Sequence, residues 1–220
     1  LYESSERMRS LGLDMSSAGE AQGELFDRVT AFKDAGPTAR REIALFSGIL
    51  VELGIDGADS AGSLQLLTLG MGQTLPQAAK TTEGLVRFAR SMDMNLNKAM
   101  SDFNELAPDL IKYGEGMEKV FKGLMKISRK TGLEMKILYD VAAKYNTFED
   151  AATSVGRLNG ILGGPYFNSI QMLYATEKER LELLKEGMAA SGRQFKDMAR
   201  FEKETFALQS GFKSVGEARM

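Results

Sequence analysis

The chain has 220 residues, 43% of them hydrophobic and 26% charged, with a formal net charge of −2. That is enough apolar material for one or two domains with a real interior, and too little charge asymmetry to name a polyanion or a membrane surface as partner. Cysteine, histidine and tryptophan are absent, which excludes disulfide frameworks, thiol nucleophiles, imidazole or thiolate metal sites and every Ser-His or Cys-His catalytic arrangement.

Taken in chain order, Leu1 to Met71 reads as generic helical sequence. Pro37 after Gly36 suits the first turn of a helix. Ile43 to Leu53 is apolar nearly all round, so it is expected in the middle of a bundle. The longest apolar stretch, Ala44 to Val51, falls far short of the roughly 20 residues a membrane-spanning helix needs, and no signal-peptide pattern precedes it. The glycine-rich stretch from Gly54 to Gly72 is the best candidate for a domain boundary, giving an N-terminal helical part, 1–71, and a helical domain, 72–220. Pro108 inside the Asn97 to Lys112 segment predicts a kink or a split near Leu106 and Ala107.

From Met117 the helical period is clear. Met117, Val120, Phe121, Leu124, Met125 and Ile127 form one apolar stripe. Lys119, Lys122, Lys126, Arg129 and Lys130 share the side opposite it, a basic face suited to sequence-blind phosphate contacts, although a solvated surface is the plainer reading. Leu133, Ile137 and Val141 continue the period. Phe148, Ala151, Val155, Leu158 and Leu162 follow it, and then Phe195, Met198 and Phe201. Thr176 with Glu179, and Ser214 with Glu217, have the spacing of a capping box; Thr147 with Asp150 is a shorter version. Gly132, Gly192 and Gly211 stand where a left-handed C-terminal cap belongs. Gly163-Gly164-Pro165 lacks the Lys-Ser/Thr of a phosphate loop and reads as a helix stop. Breakers cut the chain every 10 to 20 residues or so, and no alternation is long enough for a sheet. The fold expected is all-α, an array or bundle of about ten short helices with Gly, Asn and Pro breakers, not a continuous coiled coil.

Carboxylate pairs offer no acid–base site. Asp102 with Glu105, and Glu115 with Glu118, share exposed helix faces rather than facing each other across a substrate. The 13 methionines read as adaptable core filling, with Met92, Met94 and Met100 around a breaker as an alternative partner-groove lining.

The order of stops in RLNGILGGPYFNSIQMLYATEKERLELLKEGMAASGRQFKDMARFEKETFALQSGFKSVGEARM, Arg157 to Met220, resembles the helical region of some tail tape-measure proteins of tailed bacteriophages. The resemblance rests on Asn159, Gly163, Gly164, Phe167-Asn168-Ser169, the charged amphipathic helix ending at Gly192, Phe195, Met198, the pair Glu202-Lys203 and the Phe206 to Ala218 run, with Pro165 a further turn position. It implies a structural virion component in the phage tail interior, acting in tail length determination, tail assembly and genome delivery. It implies no cofactor and no metal. Its partners would be the tail-tube protein, the baseplate or distal hub, assembly chaperones and copies of itself, with DNA contact a weaker expectation. Asn159, Gly163, Gly164, Asn168, Gly192, Gly211 and Ser214 would then be turn and cap positions, not active-site positions, and the chain would not be an enzyme. A Leu at position 1 and a helix just starting at the far end read as a segment of a longer polypeptide. A ruler shaft should carry sustained heptads; this punctuated segment is expected to be a compact piece outside the shaft.

Two other classes fit parts of the pattern. A non-viral helical interaction module accounts for the same caps and stripes. Tyr2-Glu3-Ser4-Ser5 resembles the Glu-Ser dipeptide of lytic transglycosylases, and Gly123-Leu124-Met125 resembles their Gly-Leu-Met. In that family the two motifs are near neighbours, whereas here residues 3 and 123 carry them.

Overall fold

The structure, a computed structural model, describes residues 15–218, with side chains from residue 19. The Glu3 motif lies outside the described residues. The chain is 78% helical and has no strand among the described residues. The helices are α1 (Met15–Arg28), α2 (Thr30–Asp34), α3 (Pro37–Glu52), α4 (Gly57–Gln65), α5 (Leu75–Ser91), α6 (Leu96–Leu110), α7 (Met117–Thr131), α8 (Met135–Ala143), α9 (Phe148–Leu162), α10 (Ser169–Tyr174), α11 (Glu177–Ala190) and α12 (Arg200–Ser210). Two compact units divide the chain, Leu1–Lys122 and Gly123–Met220. The boundary expected at 71/72 therefore falls inside the first unit.

The physical reason lies in α4. Its sequence, GADSAGSLQ, looks like a linker because it is rich in glycine and serine, yet Gly57, Ser60, Ala61, Ser63 and Leu64 are all buried. Helices α1, α3, α5 and α6 all pack against it. Small side chains let backbones approach closely, so a helix that contributes little apolar volume of its own becomes the centre of the unit. Its buried hydroxyls are paired: Ser47 of α3 and Ser60 lie 3.0 Å apart. Ser63 donates to Asn104 Oδ1 at 2.8 Å, and Asn104 Nδ2 donates to the Asp59 carbonyl at 2.9 Å. Buried hydroxyls without such partners would each cost about 1–3 kcal/mol. Asp56 caps the helix start by accepting from the Ala58 N–H.

Helix α3 is not the expected centre. Ile43, Ala44 and Leu50 are buried, but Ile49 is 43% and Leu53 38% exposed, because one face suffices to meet α1, α4 and α5. The chain leaves α4 through a π turn, Leu66–Gly70. Thr68 Oγ1 donates to the Leu64 carbonyl at 2.8 Å, taking up an acceptor in the widened turn.

Pro108 neither splits nor ends α6, which continues to Leu110 before a 3₁₀ stretch, Ile111–Gly116. Leu106, Ala107 and Leu110 are buried around it, and that packing outweighs one lost backbone hydrogen bond. The actual break is at Gly114, where φ is 53° and ψ −131°, a conformation open to glycine.

The α7 stripe behaves as its period requires: Phe121, in the first unit, and Leu124 and Met125, in the second, are fully buried, each worth about 1.5–3 kcal/mol against exposure. Gly132 (φ 74°) ends α7, its N–H bonding the Ser128 carbonyl at 2.8 Å. Helix α9 packs on α10 and α12, and α8 packs on α11. Two expected core residues face outward: Phe148 is 62% and Phe201 73% exposed. Each sits in the first turn of its helix, where the period alone does not fix contact with a neighbour. Met100, offered as a groove-lining alternative, is core at 1% exposure.

Candidate functional site

The residues singled out from Asn159 onward are joined by a set of locks in the second unit. Asn159 ends α9 in two ways. Its carbonyl accepts from the N–H of Gly163 at 2.9 Å and of Gly164 at 3.1 Å. Its side-chain amide donates to the Phe167 carbonyl and accepts from the Phe167 N–H, both at 2.9 Å. That reciprocal pair satisfies the backbone of a loop that no sheet would serve. Gly163 takes φ 79° as the left-handed C-terminal residue. A Cβ on Gly164 would stand 2.9 Å from the Tyr166 ring. Pro165 follows in the turn, and Asn168 caps α10 by accepting from the Gln171 N–H at 3.0 Å.

The clamp delivers Phe167 to a notch in α11. A Cβ on Gly187 would lie 2.2 Å from Cε1 of the Phe167 ring, so only glycine leaves room there. Phe167 is 6% exposed.

Arg180, one turn into α11, is 4% exposed. Its guanidinium donates to the carbonyls of Met172 (2.8 Å), Leu173 (2.8 Å) and Ala142 (2.7 Å), and to Asn146 Oδ1 (2.6 Å). Those carbonyls end α8 and α10, where unpaired acceptors and the helix dipole both favour a cation. Burial pulls the Arg180 pKa down, while nearby Glu177 works in the opposite direction. Glu177 is itself 2% exposed, and its Oε2 has no hydrogen-bond partner. Tyr145 is fully buried and donates to the Gln209 carbonyl at 3.0 Å, tying the α8 end to α12; burial pushes its phenol pKa up.

Thr176 and Glu179 form the expected capping box: the Glu179 carboxylate accepts from the Thr176 N–H at 2.8 Å, and Thr176 Oγ1 from the Glu179 N–H. Thr147 Oγ1 likewise accepts from the Asp150 N–H at 3.1 Å. Gly192 (φ 68°) follows α11. Gly211 (φ 93°) ends α12 with its N–H on the Leu208 carbonyl and that of Phe212 on Ala207, the Schellman pattern. A Cβ there would lie 2.7 Å from Val141 Cα. The Ser214–Glu217 box is only half made. Ser214 Oγ accepts from the Glu217 N–H at 3.2 Å, but the Glu217 carboxylate accepts from Lys213 instead of Ser214, because the segment is a turn and not a helix.

Arg193, which no sequence pattern singles out, meets Glu202, one of the residues of the resemblance. Arg193 donates to the Ile161 carbonyl at 2.6 Å and to Glu202 at 2.9 Å. The Ala199 N–H, and then Arg193, hold the Glu202 carboxyl below the usual carboxylate range.

The basic face is looser than these locks. Lys119, Lys126, Arg129 and Lys130 are exposed and Lys122 is half-buried. Lys122 pairs with Glu118 at 2.5 Å and lies over the Phe88 ring, so part of its charge is already answered. Asp102, one of the paired carboxylates considered above, meets Lys98 at 3.3 Å. No group of His, Cys, Asp or Glu that could hold a metal occurs among the described residues. No described helix is long and apolar enough to cross a membrane.

Two grooves lie along α11. One, of about 440 Å³, carries Tyr174, Glu179, Glu182 and Glu186 on its walls. The other, of about 540 Å³, carries Lys185, Arg193, Lys196 and Lys203 over Met188 and Phe195. Neither holds a nucleophile–base pair or two carboxylates set against each other across a gap. No protein-family model, curated protein or solved structure matches the chain.

Proposed function

We propose that this chain is a folded helical segment of a tail tape-measure protein of a tailed bacteriophage, a structural virion component of the tail interior. It acts in tail length determination, assembly and genome delivery. The single observation that carries the reading is the order of devices from Asn159 to Gly211: a clamp, a left-handed stop, capped helix starts and a second left-handed stop. Residues spent on holding short helices in fixed relation suit a part whose product is shape rather than chemistry. The partners in this reading are the tail-tube protein and the baseplate or distal hub.

The test is deletion of the segment in a phage that carries it, read by electron microscopy of the tails and by DNA delivery. Aberrant or absent tails, or tails that fail to inject, are the expected result. Tails of normal length that deliver DNA would overturn it.

A non-viral helical interaction module is favoured by one specific observation. Phe148, Tyr174, Phe201 and Leu208 are all at least 60% exposed in the second unit, apolar surface that a partner could cover. A parent gene remote from any tail-tube or baseplate gene would decide for that reading.

A further inference from the structure

The two grooves along α11 are each lined by charge of one sign, and the signs are opposite. Glu179, Glu182 and Glu186 face the first without a basic residue among its walls, although Lys178 beside it pairs with Glu182 at 3.2 Å and the Glu179 carboxylate also serves the α11 cap. Lys185, Arg193, Lys196 and Lys203 face the second without an acidic one. All of these residues belong to the unit Gly123–Met220. The carboxylates recur at i, i+3 and i+7, so they stack along one flank of the helix. Lys185 and Met188 occupy the other flank.

Each groove also carries an aromatic residue. Tyr174 rises from the acidic groove at 82% exposure, the most exposed large apolar side chain among the described residues. The basic groove has an apolar floor of Met188 and Phe195, and two of its cations are held in place. Lys203 Nζ donates to the Lys196 carbonyl at 2.7 Å, and Arg193 is fixed by Ile161 and Glu202. A phenol ring entering among ammonium groups over an apolar floor gains both burial and cation–π attraction.

We propose that the chain binds a second copy of itself through these grooves, the acidic groove and Tyr174 of one copy seated in the basic groove of the next. The occupant is a second copy because the two complementary surfaces, similar in size and opposite in sign, are carried by the same unit. The contact is heterologous: once two copies join, the pair still has one acidic and one basic groove unfilled, so further copies add in series. The proposal is argued from the second unit's surface alone.

The experiment is sedimentation velocity of the whole chain across a concentration series. The wild type is expected to associate in the micromolar range, with an association constant that falls about tenfold as salt rises from about 50 to about 500 mM. One variant removes the acidic side (Tyr174→Ala, Glu182→Gln, Glu186→Gln) and another the basic side (Lys185→Gln, Lys196→Gln). Each alone stays monomeric, and an equimolar mixture forms pairs and nothing larger, because only one competent contact remains. Circular dichroism serves as the control that both variants fold. Since the chain has no cysteine, Tyr174→Cys and Lys196→Cys variants mixed under mild oxidant should form a disulfide between copies. A wild type that stays monomeric at low salt, or variants that associate as the wild type does, overturn the proposal. So does a monomer whose basic groove instead binds a short single-stranded oligonucleotide, a result that assigns that groove to a polyanion.

Discussion

The two units solve the same packing problem by different means. In the first, a helix of small residues, α4, lets four others come close, and the buried polar groups around it are hydroxyls and amides that satisfy one another across short gaps: Ser47 with Ser60, Ser63 with Asn104, while the Thr82 hydroxyl of α5 stays unpaired. In the second, helices are held through their ends. Arg180 collects the terminal carbonyls of α8 and α10, Asn159 clamps the Phe167 backbone, and Arg193 ties the Ile161 carbonyl to Glu202. Close approach spreads stability over many weak contacts, whereas end-locking concentrates it in a few residues. The first unit should therefore tolerate single substitutions that the second does not.

The largest effect expected is at Arg180. Arg180→Met takes the guanidinium donor from the Met172 and Leu173 carbonyls and the Asn146 amide oxygen, and one of two donors from the Ala142 carbonyl, which keeps the Tyr145 N–H, a loss of about 3–5 kcal/mol. Urea unfolding followed by circular dichroism checks it. Arg180→Lys should recover only part, since an ammonium cannot reach all four acceptors in one plane. A loss below about 1 kcal/mol would remove the contrast between the units.

Next comes Gly211→Ala, which combines a positive φ with a Cβ placed 2.7 Å from Val141 Cα. Backbone cannot yield as a side chain can, so about 3 kcal/mol of destabilisation is expected. Gly187→Ala meets a ring instead of backbone and should cost slightly less, about 2 kcal/mol, with the near-ultraviolet dichroism of the aromatic residues altered. Thr176→Ala removes one half of a capping box, about 1 kcal/mol in thermal melting.

The smallest effect, and the sharpest test of the first unit, is the double change Ser47→Ala with Ser60→Ala. Removing both partners of a buried hydroxyl pair leaves no orphan, so stability should move by less than about 0.5 kcal/mol, while either single change costs more. A double variant as unstable as Gly211→Ala would mean that the serines hold the unit together as the arginine does the other.

This difference also explains what the sequence reveals. Breakers and caps are written in local residue types, so Pro37, Gly132, Thr147, Gly163, Thr176, Gly192 and Gly211 all fall at real helix ends. Thr74 with Gln77 at the start of α5 has the same spacing, with Gln77 Oε1 accepting from the Thr74 N–H at 2.9 Å. Arg180 is illegible for a different reason. It stands in EKERLE among ordinary surface charges, and only the folded positions of residues 142, 146, 172 and 173 make it an internal cation. Asn159 was legible as a stop but not as a clamp, since its partner is the Phe167 backbone rather than a side chain. The grooves needed folding to bring residues 174 and 186, or 185 and 203, onto one surface. Helix α4 misled most, because glycine and serine mean a linker when exposed and a close contact when buried.

Phe167 in its notch has a mechanical consequence. A helix packed on smooth neighbours can slide along its axis by one turn at little cost, about 5.4 Å. Such a slip of α11 would carry Leu183 or Ser191 into the place of Gly187, and the ring could not remain seated beside either. The only register open to α11 is the one that puts glycine under the ring. Axial load on this part of the chain would meet a stop instead of a gradual shear.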